Sequence, residues 1–191
     1  MAVTMKENAR EAILLAAREA AMAYGYGGIN FRDLAETVGI KAASINYYFP
    51  NKASLGEAVA KRYWEDIAAD LDAISAEARD PIDALRRYPS VFRASLERDN
   101  RICLASFMAT EHAELPEAVL KEVQTFADVN VAWLSRHLTA AGIVGPDESE
   151  PRARAIYAAV AGAQIIARSR SDISVFDGLI ESYRAAGPLP R

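Results

Sequence analysis

Lys41, Ser44, Asn46 and Tyr47 lie within one short stretch and offer an ammonium, a hydroxyl, an amide and a phenol on the same side of it. These groups donate hydrogen bonds and suit phosphate oxygens and base edges, with no need of bond-breaking chemistry. Asn46 is the sharpest of them, because its amide pairs in both directions with adenine. Lys41, Ala42, Ala43, Ser44 and Asn46 are expected nearest the bases, and Arg32, Tyr47, Tyr48 and Lys52 nearest the backbone phosphates. Lys52 opens a helix whose first-turn N–H groups also attract an anion. The plain alternative for Lys52 is a solvated surface lysine.

Two short helices are needed to present these groups, and the run from Asn30 to Lys52 supplies them. Leu34, Ala35 and Val38 give the first an apolar face; Ile45, Tyr48 and Phe49 give the second one. Gly39 stands between them, where a rapid reversal of the chain calls for a positive φ. Ile40 follows it and would plug the angle, while the small Ala35 lets the second helix come close. Asn30 is placed to cap the first helix, with Asp33 near its positive end. This spacing predicts a helix-turn-helix. An ordinary helical hairpin inside a core has the same apolar spacing, but it would not carry donors on its outer face.

The same residues resemble the N-terminal domain of the tetracycline-repressor (TetR) family of transcriptional regulators. Arg32-Asp33-Leu34-Ala35, Gly39-Ile40, Tyr48-Phe49-Pro50, and Lys52 with Leu55 carry the resemblance, which covers about the first third of the chain. Three positions depart from the family pattern. Lys41 stands where Ser usually caps the recognition helix, Ala43 replaces a common Gly, and Asn46 replaces a frequent Tyr. The resemblance implies an all-α protein. A three-helix DNA-binding domain would take residues 1–50, and a helical domain for effector binding and dimerisation residues 51–191.

Composition sets limits on that reading. The chain has 191 residues, enough for a substantial core, and it is rich in Ala and apolar residues, which favours helices. Its net charge is −4, distributed unevenly: +1 over residues 1–55 and −5 over the remainder. Phosphate attraction must therefore come from individually placed cations and helix N-termini, not from a basic surface field. A single cysteine, Cys103, excludes an internal disulfide and fits a reducing compartment. The opening segment has charges throughout its apolar spacing, and no later stretch is apolar for the length of a membrane span. A cytoplasmic protein without a membrane partner is expected.

Along the chain, residues 6–24 predict an amphipathic helix with Ile13, Ala16, Ala17, Ala20 and Ala23 on one face. The run Gly25-Tyr26-Gly27-Gly28 reads as its stop. Asn51 is a plausible cap for a helix over 52–77, and Asp80-Pro81 for one reaching about Arg98, kinked or interrupted at Pro89. A short apolar segment covers 101–112, and a helix opened by Leu115-Pro116-Glu117 runs to about Ala141, stopped by Gly142. Residues 145–151 read as the clearest loop. Helices over 152–169 and about 175–186 close the chain, the last capped by Ser174.

The middle helices hold an unusual supply of aromatic, sulfur and lone polar side chains: Tyr63, Trp64, Tyr88, Phe92, Cys103, Phe107, Met108, His112, Phe126 and Trp133. A mostly apolar pocket with a few polar anchors is how small-molecule sites are built. The resemblance implies an effector pocket among them, which they form as a pool, since for any single one simple core packing outweighs ligand contact. On the last two helices, Ile156, Ala159, Val160, Ala163 and Ile166, with Val175, Phe176, Leu179, Ile180 and Tyr183, could form half of a four-helix dimer interface, as the resemblance implies. A dimer is also expected on physical grounds, since one recognition helix reads few base pairs and two-fold symmetry doubles the contacts.

His112 has Glu111 and Glu114 nearby, but neighbours in sequence on a helix point apart, and no second His or Cys has ligand spacing. Cys103 has no identifiable base partner. No metal, no cofactor and no enzymatic activity are expected. The reading is a homodimeric regulator of transcription, a repressor released from a palindromic double-stranded operator by a small-molecule effector. An activator of the same fold, a helical adaptor that binds no DNA, and a helical enzyme remain alternatives.

Overall fold

The computed structural model describes residues 5–187, 189 and 190, with side chains from Asn8 onward. The first helix, α1 (Met5–Tyr24), buries Ile13, Leu14, Ala17, Ala21 and Met22, a stripe at helical spacing. The expected members Ala16, Ala20 and Ala23 flank this stripe and are half-buried. A 3-10 turn at Tyr26–Gly28 follows.

The Asn30 side chain accepts a hydrogen bond from the Arg32 N–H at 2.9 Å and caps α2 (Phe31–Val38). Gly39 ends this helix in the left-handed region, φ 74° and ψ 32°. The Gly39 and Ile40 amides close the turn onto Glu36 and Ala35 carbonyls, which satisfies orphan acceptors of the helix end. Next comes α3 (Ala42–Tyr48), whose cap residue Lys41 provides no side-chain hydrogen bond. Leu34, Ala35, Ile45 and Phe49 are all buried, so the apolar faces of α2 and α3 meet as their spacing requires.

Asn51 caps α4 (Lys52–Glu77), its Oδ1 accepting from the Ser54 N–H at 2.8 Å. Asp80 caps α5 (Pro81–Arg87) through the Asp83 N–H, with proline at the first helical position. Pro89 does interrupt the expected helix. It starts α6 (Pro89–Glu97) after a break at Tyr88, because a proline cannot donate the bond that would continue α5. Then come α7 (Leu104–Thr110), a 3-10 turn at His112–Glu114, and α8 (Glu117–Ala140).

Two boundaries near the C-terminus differ from expectation. Residues 146–151 are not a loop: α9 runs over Pro146–Arg170, with Pro146 at its first position and Asp147 and Glu148 in its first turn. Proline and acidic residues are favourable there, whereas Pro151 lies inside the helix and removes the hydrogen bond its N–H would give the Asp147 carbonyl. The last helix, α10 (Ile173–Ala186), is capped by Asp172, not Ser174; the Asp172 carboxylate accepts from the Ser174 N–H at 2.9 Å. Among the described residues there is no strand, and no helix is long and apolar enough to cross a membrane.

Compactness divides the chain into two units. The first takes the described residues up to Tyr63 together with Leu104–Gln124, and the second takes Trp64–Cys103 together with the described residues from Thr125 on. Segment 104–124, far away in sequence, thus belongs to the same unit as the helix-turn-helix, with α7 packed on α1. The second unit is built on the packing of α9 against α10 and of α6 against both.

Candidate nucleic-acid interface

Burial of Ile45 and Phe49 fixes which way α3 faces. With those two side chains inside, Ala42, Ala43, Asn46 and Tyr47 point outward, one turn apart in pairs along the helix. Tyr47 is 68% exposed, a large fraction for an aromatic side chain. Its ring meets the edge of Tyr48 at 5.1 Å, and Tyr48 itself is half-buried. Ser44 is half-buried, while Lys41 and Arg32 are exposed. The helix therefore presents two small residues, an amide and a phenol, with cations at its start and on α2. Such a surface admits close approach to a groove and donates to acceptors there.

Lys52 has a more specific place than sequence suggested. Its Nζ donates to the Gly27 carbonyl at 3.3 Å and lies 4.5 Å from the centroid of the Tyr26 ring. That cation–π contact and hydrogen bond use part of its donor capacity within the chain and hold its ammonium beside the turn before α2. Burial of the Tyr26 ring raises its hydroxyl pKa above the usual phenol value. Arg10 sits over the Phe49 ring at 5.0 Å and braces the other side of α3.

The expected effector residues divide between the units. Tyr63, Phe107, Met108 and His112 belong to the first; Trp64, Tyr88, Phe92, Cys103, Phe126 and Trp133 belong to the second. His112 is exposed and so lies outside any buried cluster. Tyr88, Phe92, Phe126 and Trp133 are buried and gathered: Tyr88 lies 5.7 Å from Phe92 and stacks on Trp133 at 5.8 Å. Tyr157, absent from the expected set, joins Phe92 and Phe126 at 6.1 and 6.3 Å.

Several polar residues that complete this cluster also escaped the sequence reading. The Tyr88 hydroxyl donates to Asn130 Oδ1 at 3.0 Å, and burial holds that phenol well above its ordinary pKa. The Asn130 amide donates to the Phe126 carbonyl at 2.8 Å. Gln164 bridges two elements, donating to the Phe92 carbonyl at 2.5 Å and accepting from the Cys103 N–H at 2.9 Å. Trp133 Nε1 donates to the Leu71 carbonyl and to Ser75, and the His137 ring stacks on Trp133 at 3.9 Å. A signal for Asn130 and Gln164 was present. Each is a polar residue at a position that continues an apolar stripe, Phe126 to Leu134 and Val160 to Ala167.

A separate cavity of about 440 Å³ opens on the second unit, bounded by the end of α4, α5, α6 and α10. Ile74, Pro89, Phe176 and Ile180 contribute its apolar wall, and Arg86, Arg87, Arg93 and Arg184 its rim. These cations are largely matched within the chain. Arg93 holds Asp177 at 2.8 Å and also pairs with Glu97, and Arg87 holds Asp83 at 2.9 Å.

The residues expected at a dimer interface do not share one face. Ile156, Val160, Ala163, Phe176 and Ile180 are buried in the core of their own unit, where α9 packs on α10, so they are unavailable to a second copy in this arrangement. Ala159, Val175, Leu179 and Tyr183 are half-buried, and Ile166 is 47% exposed. Helical rotation explains the correction. Positions 156, 160, 163 and 167 form the inward stripe, which leaves 158, 162, 165 and 166 turned away from it. Ile165 is 46% exposed, and a Cβ added at Gly162 or Gly178 would meet nothing within 4 Å.

Residues 13–59 match the family model described as bacterial regulatory proteins, tetR family. The whole chain is similar in fold to a TetR transcriptional regulator from Legionella pneumophila, with 26% identity, 97% of this chain and 98% of that one covered, and a TM-score of 0.86. It is equally similar to a TetR-family regulator from Agrobacterium tumefaciens, with 26% identity, coverage of 94% and 97%, and a TM-score of 0.86. A TetR-family regulator from Cytophaga hutchinsonii, 20% identical, covers both chains fully at a TM-score of 0.80 and shows the shared fold. No curated protein sequence matches. Residues 13–59 thus form a DNA-binding helix-turn-helix domain of the tetR family, and the chain as a whole has the fold of the TetR-family transcriptional regulators it resembles.

Proposed function

We propose that this TetR-family regulator is a homodimeric repressor that leaves a palindromic operator when a small molecule binds its second unit. The observation that supports it best is the outward face of α3, on which Ala42, Ala43, Asn46 and Tyr47 are all exposed. In the proposed complex, Asn46 reads a base edge, and Lys41, Ala42, Ala43 and Ser44 lie along the groove floor. Arg32, Tyr47, Tyr48 and Lys52 hold phosphates. A chain of net charge −4 gains little from nonspecific attraction, so affinity depends on these placed contacts and on their duplication in a dimer. The exposed Ile165 and Ile166 beside Gly162 support a second helix pair packing there.

The effector is proposed to bind at the aromatic cluster of Tyr88, Phe92, Phe126 and Trp133, with the Tyr88 hydroxyl, Asn130 and Gln164 as polar anchors. These rings are packed on one another, so a ligand must part them, and its affinity is reduced by the free energy of the opened state. Helix α4 is common to both units and is the covalent path for the switch. Released dimers would hold their recognition helices away from the groove repeat of about 34–36 Å. Selection of bound duplexes from a random pool tests the reading. A recovered palindrome is expected, and a pool with no enriched sequence overturns it. Ligand that releases operator must also bind the operator complex more weakly than the free protein, because the coupling is reciprocal.

A further inference from the structure

The run Gly25-Tyr26-Gly27-Gly28 does more than end α1. It surrounds a carboxylate delivered from 85 residues further along the chain. Glu111, between α7 and the 3-10 turn at His112–Glu114, accepts from the Tyr26 N–H at 2.7 Å through Oε2, and its Oε1 receives the Gly27 N–H at 3.5 Å. Room for it depends on glycine. Gly25 has φ +71°, and a Cβ there would stand 2.4 Å from Glu111 Oε1. From the other side, Lys52 donates to the Gly27 carbonyl and covers the Tyr26 ring. Gly56 of α4 leaves space for that ring, since a Cβ at this position would lie 2.6 Å from Tyr26 Cε2. The joint between α1 and α2 is thus held by one carboxylate and one ammonium, both within the first unit.

We infer that Glu111 is a positioning residue for DNA recognition. By fixing the backbone of the turn, it fixes the angle at which α2 and α3 leave α1. The inference rests on the DNA-binding reading above. Charge alone predicts the opposite sign. Glu111 is an anion in the unit that must approach phosphates, so removing it favours binding electrostatically, whereas loss of the turn's geometry weakens specific binding. The hydrogen bonds at stake are charge-assisted, of a strength that corresponds to roughly tenfold or more in affinity when all of it is expressed in binding.

The test uses the full-length protein and a duplex that the wild type itself selects from a random pool, alongside a scrambled duplex. Glu111→Ala is expected to bind the selected duplex about tenfold more weakly, with affinity for the scrambled duplex unchanged or raised. Glu111→Gln, which keeps one acceptor oxygen, falls between. The Tyr26 and Gly27 amides both lose hydrogen-exchange protection in Glu111→Ala, Glu111→Gln keeps it at one of them, and Glu114→Gln, a neighbouring exposed carboxylate, changes nothing. Gly25→Ala, which displaces the carboxylate and also strains a backbone at φ +71°, should lose at least as much, with only the strain part of its loss remaining in the Glu111→Ala background. This pair carries the test should one variant fold poorly. Folded Glu111→Ala that binds the selected duplex as tightly as wild type, or retains both protected amides, overturns the inference alone. A wild type that selects no duplex overturns the DNA-binding reading and the inference with it.

Discussion

Asn46 and Lys41 make separable contributions to one short helix. Asn46 is exposed on α3 with its amide free to meet a base edge, so Asn46→Ala should flatten the base preference at one position of each half-site. Affinity for unrelated duplex should stay as it was; a selection repeated with the variant measures this. Lys41 occupies the cap position in extended conformation, φ −75° and ψ 141°, without a side-chain hydrogen bond to the helix. Lys41→Ser restores the usual acceptor and should stabilise the fold by about 0.5–1 kcal/mol in denaturant melts. The same change removes a cation and should lower the dependence of DNA affinity on salt. Capping and phosphate attraction compete for this one position, and the sequence has chosen the charge.

At the scale of elements, Gln164 links α6 and α9 to the backbone just before α7. It is fully buried, and it serves one carbonyl, of Phe92, and one N–H, of Cys103. Gln164→Ala leaves both backbone groups without their partner in a closed interior and should cost about 2–4 kcal/mol, read as a drop in the urea midpoint. Gln164→Glu should be nearly as harmful, because a carboxylate cannot donate to the Phe92 carbonyl. The break between α5 and α6 belongs to this scale too. Pro89 opens α6 at Tyr88, and that places the Tyr88 ring fully inside against Trp133.

For the whole molecule, acid is a useful probe. Asp83 is held below the usual carboxylate range, first by the hydrogen bond from the Arg79 side chain and then by the Arg79 backbone N–H, with Arg87 adding to it. Asp177, through Arg93, and Asp172, through Ser174, are lowered as well. Since the unfolded chain takes up these protons at higher pH than the native one, their stabilisation is complete above the ordinary carboxylate pKa. It is lost as pH falls through the lowered native values. Denaturation midpoints should therefore decline on acidification through and below the ordinary range, about pH 4, and Asp83→Asn should lessen that decline. Assembly is the second property at this scale. Ile166→Glu places a charge on the exposed face of α9 and should yield a folded monomer in sedimentation, with operator binding lost alongside.

Short-range information determined the recognition element. Asn30, Gly39 and the Leu34 and Ile45 stripes act within a few residues of one another, so helix period and backbone geometry set where residues 41, 44, 46 and 47 stand. Capping by Asn51 and Asp80 and the break at Pro89 were legible for the same reason. Tertiary structure alone decided which side of α9 faces inward, because an alanine-rich helix has small apolar residues on several faces and only its packing on α10 selects among them. It also decided that Tyr157, Asn130 and Gln164 join one buried cluster, and that Glu111 closes on the turn at Tyr26. These are contacts between residues tens of positions apart, made once the chain has condensed, and helical periodicity has no range long enough to state them.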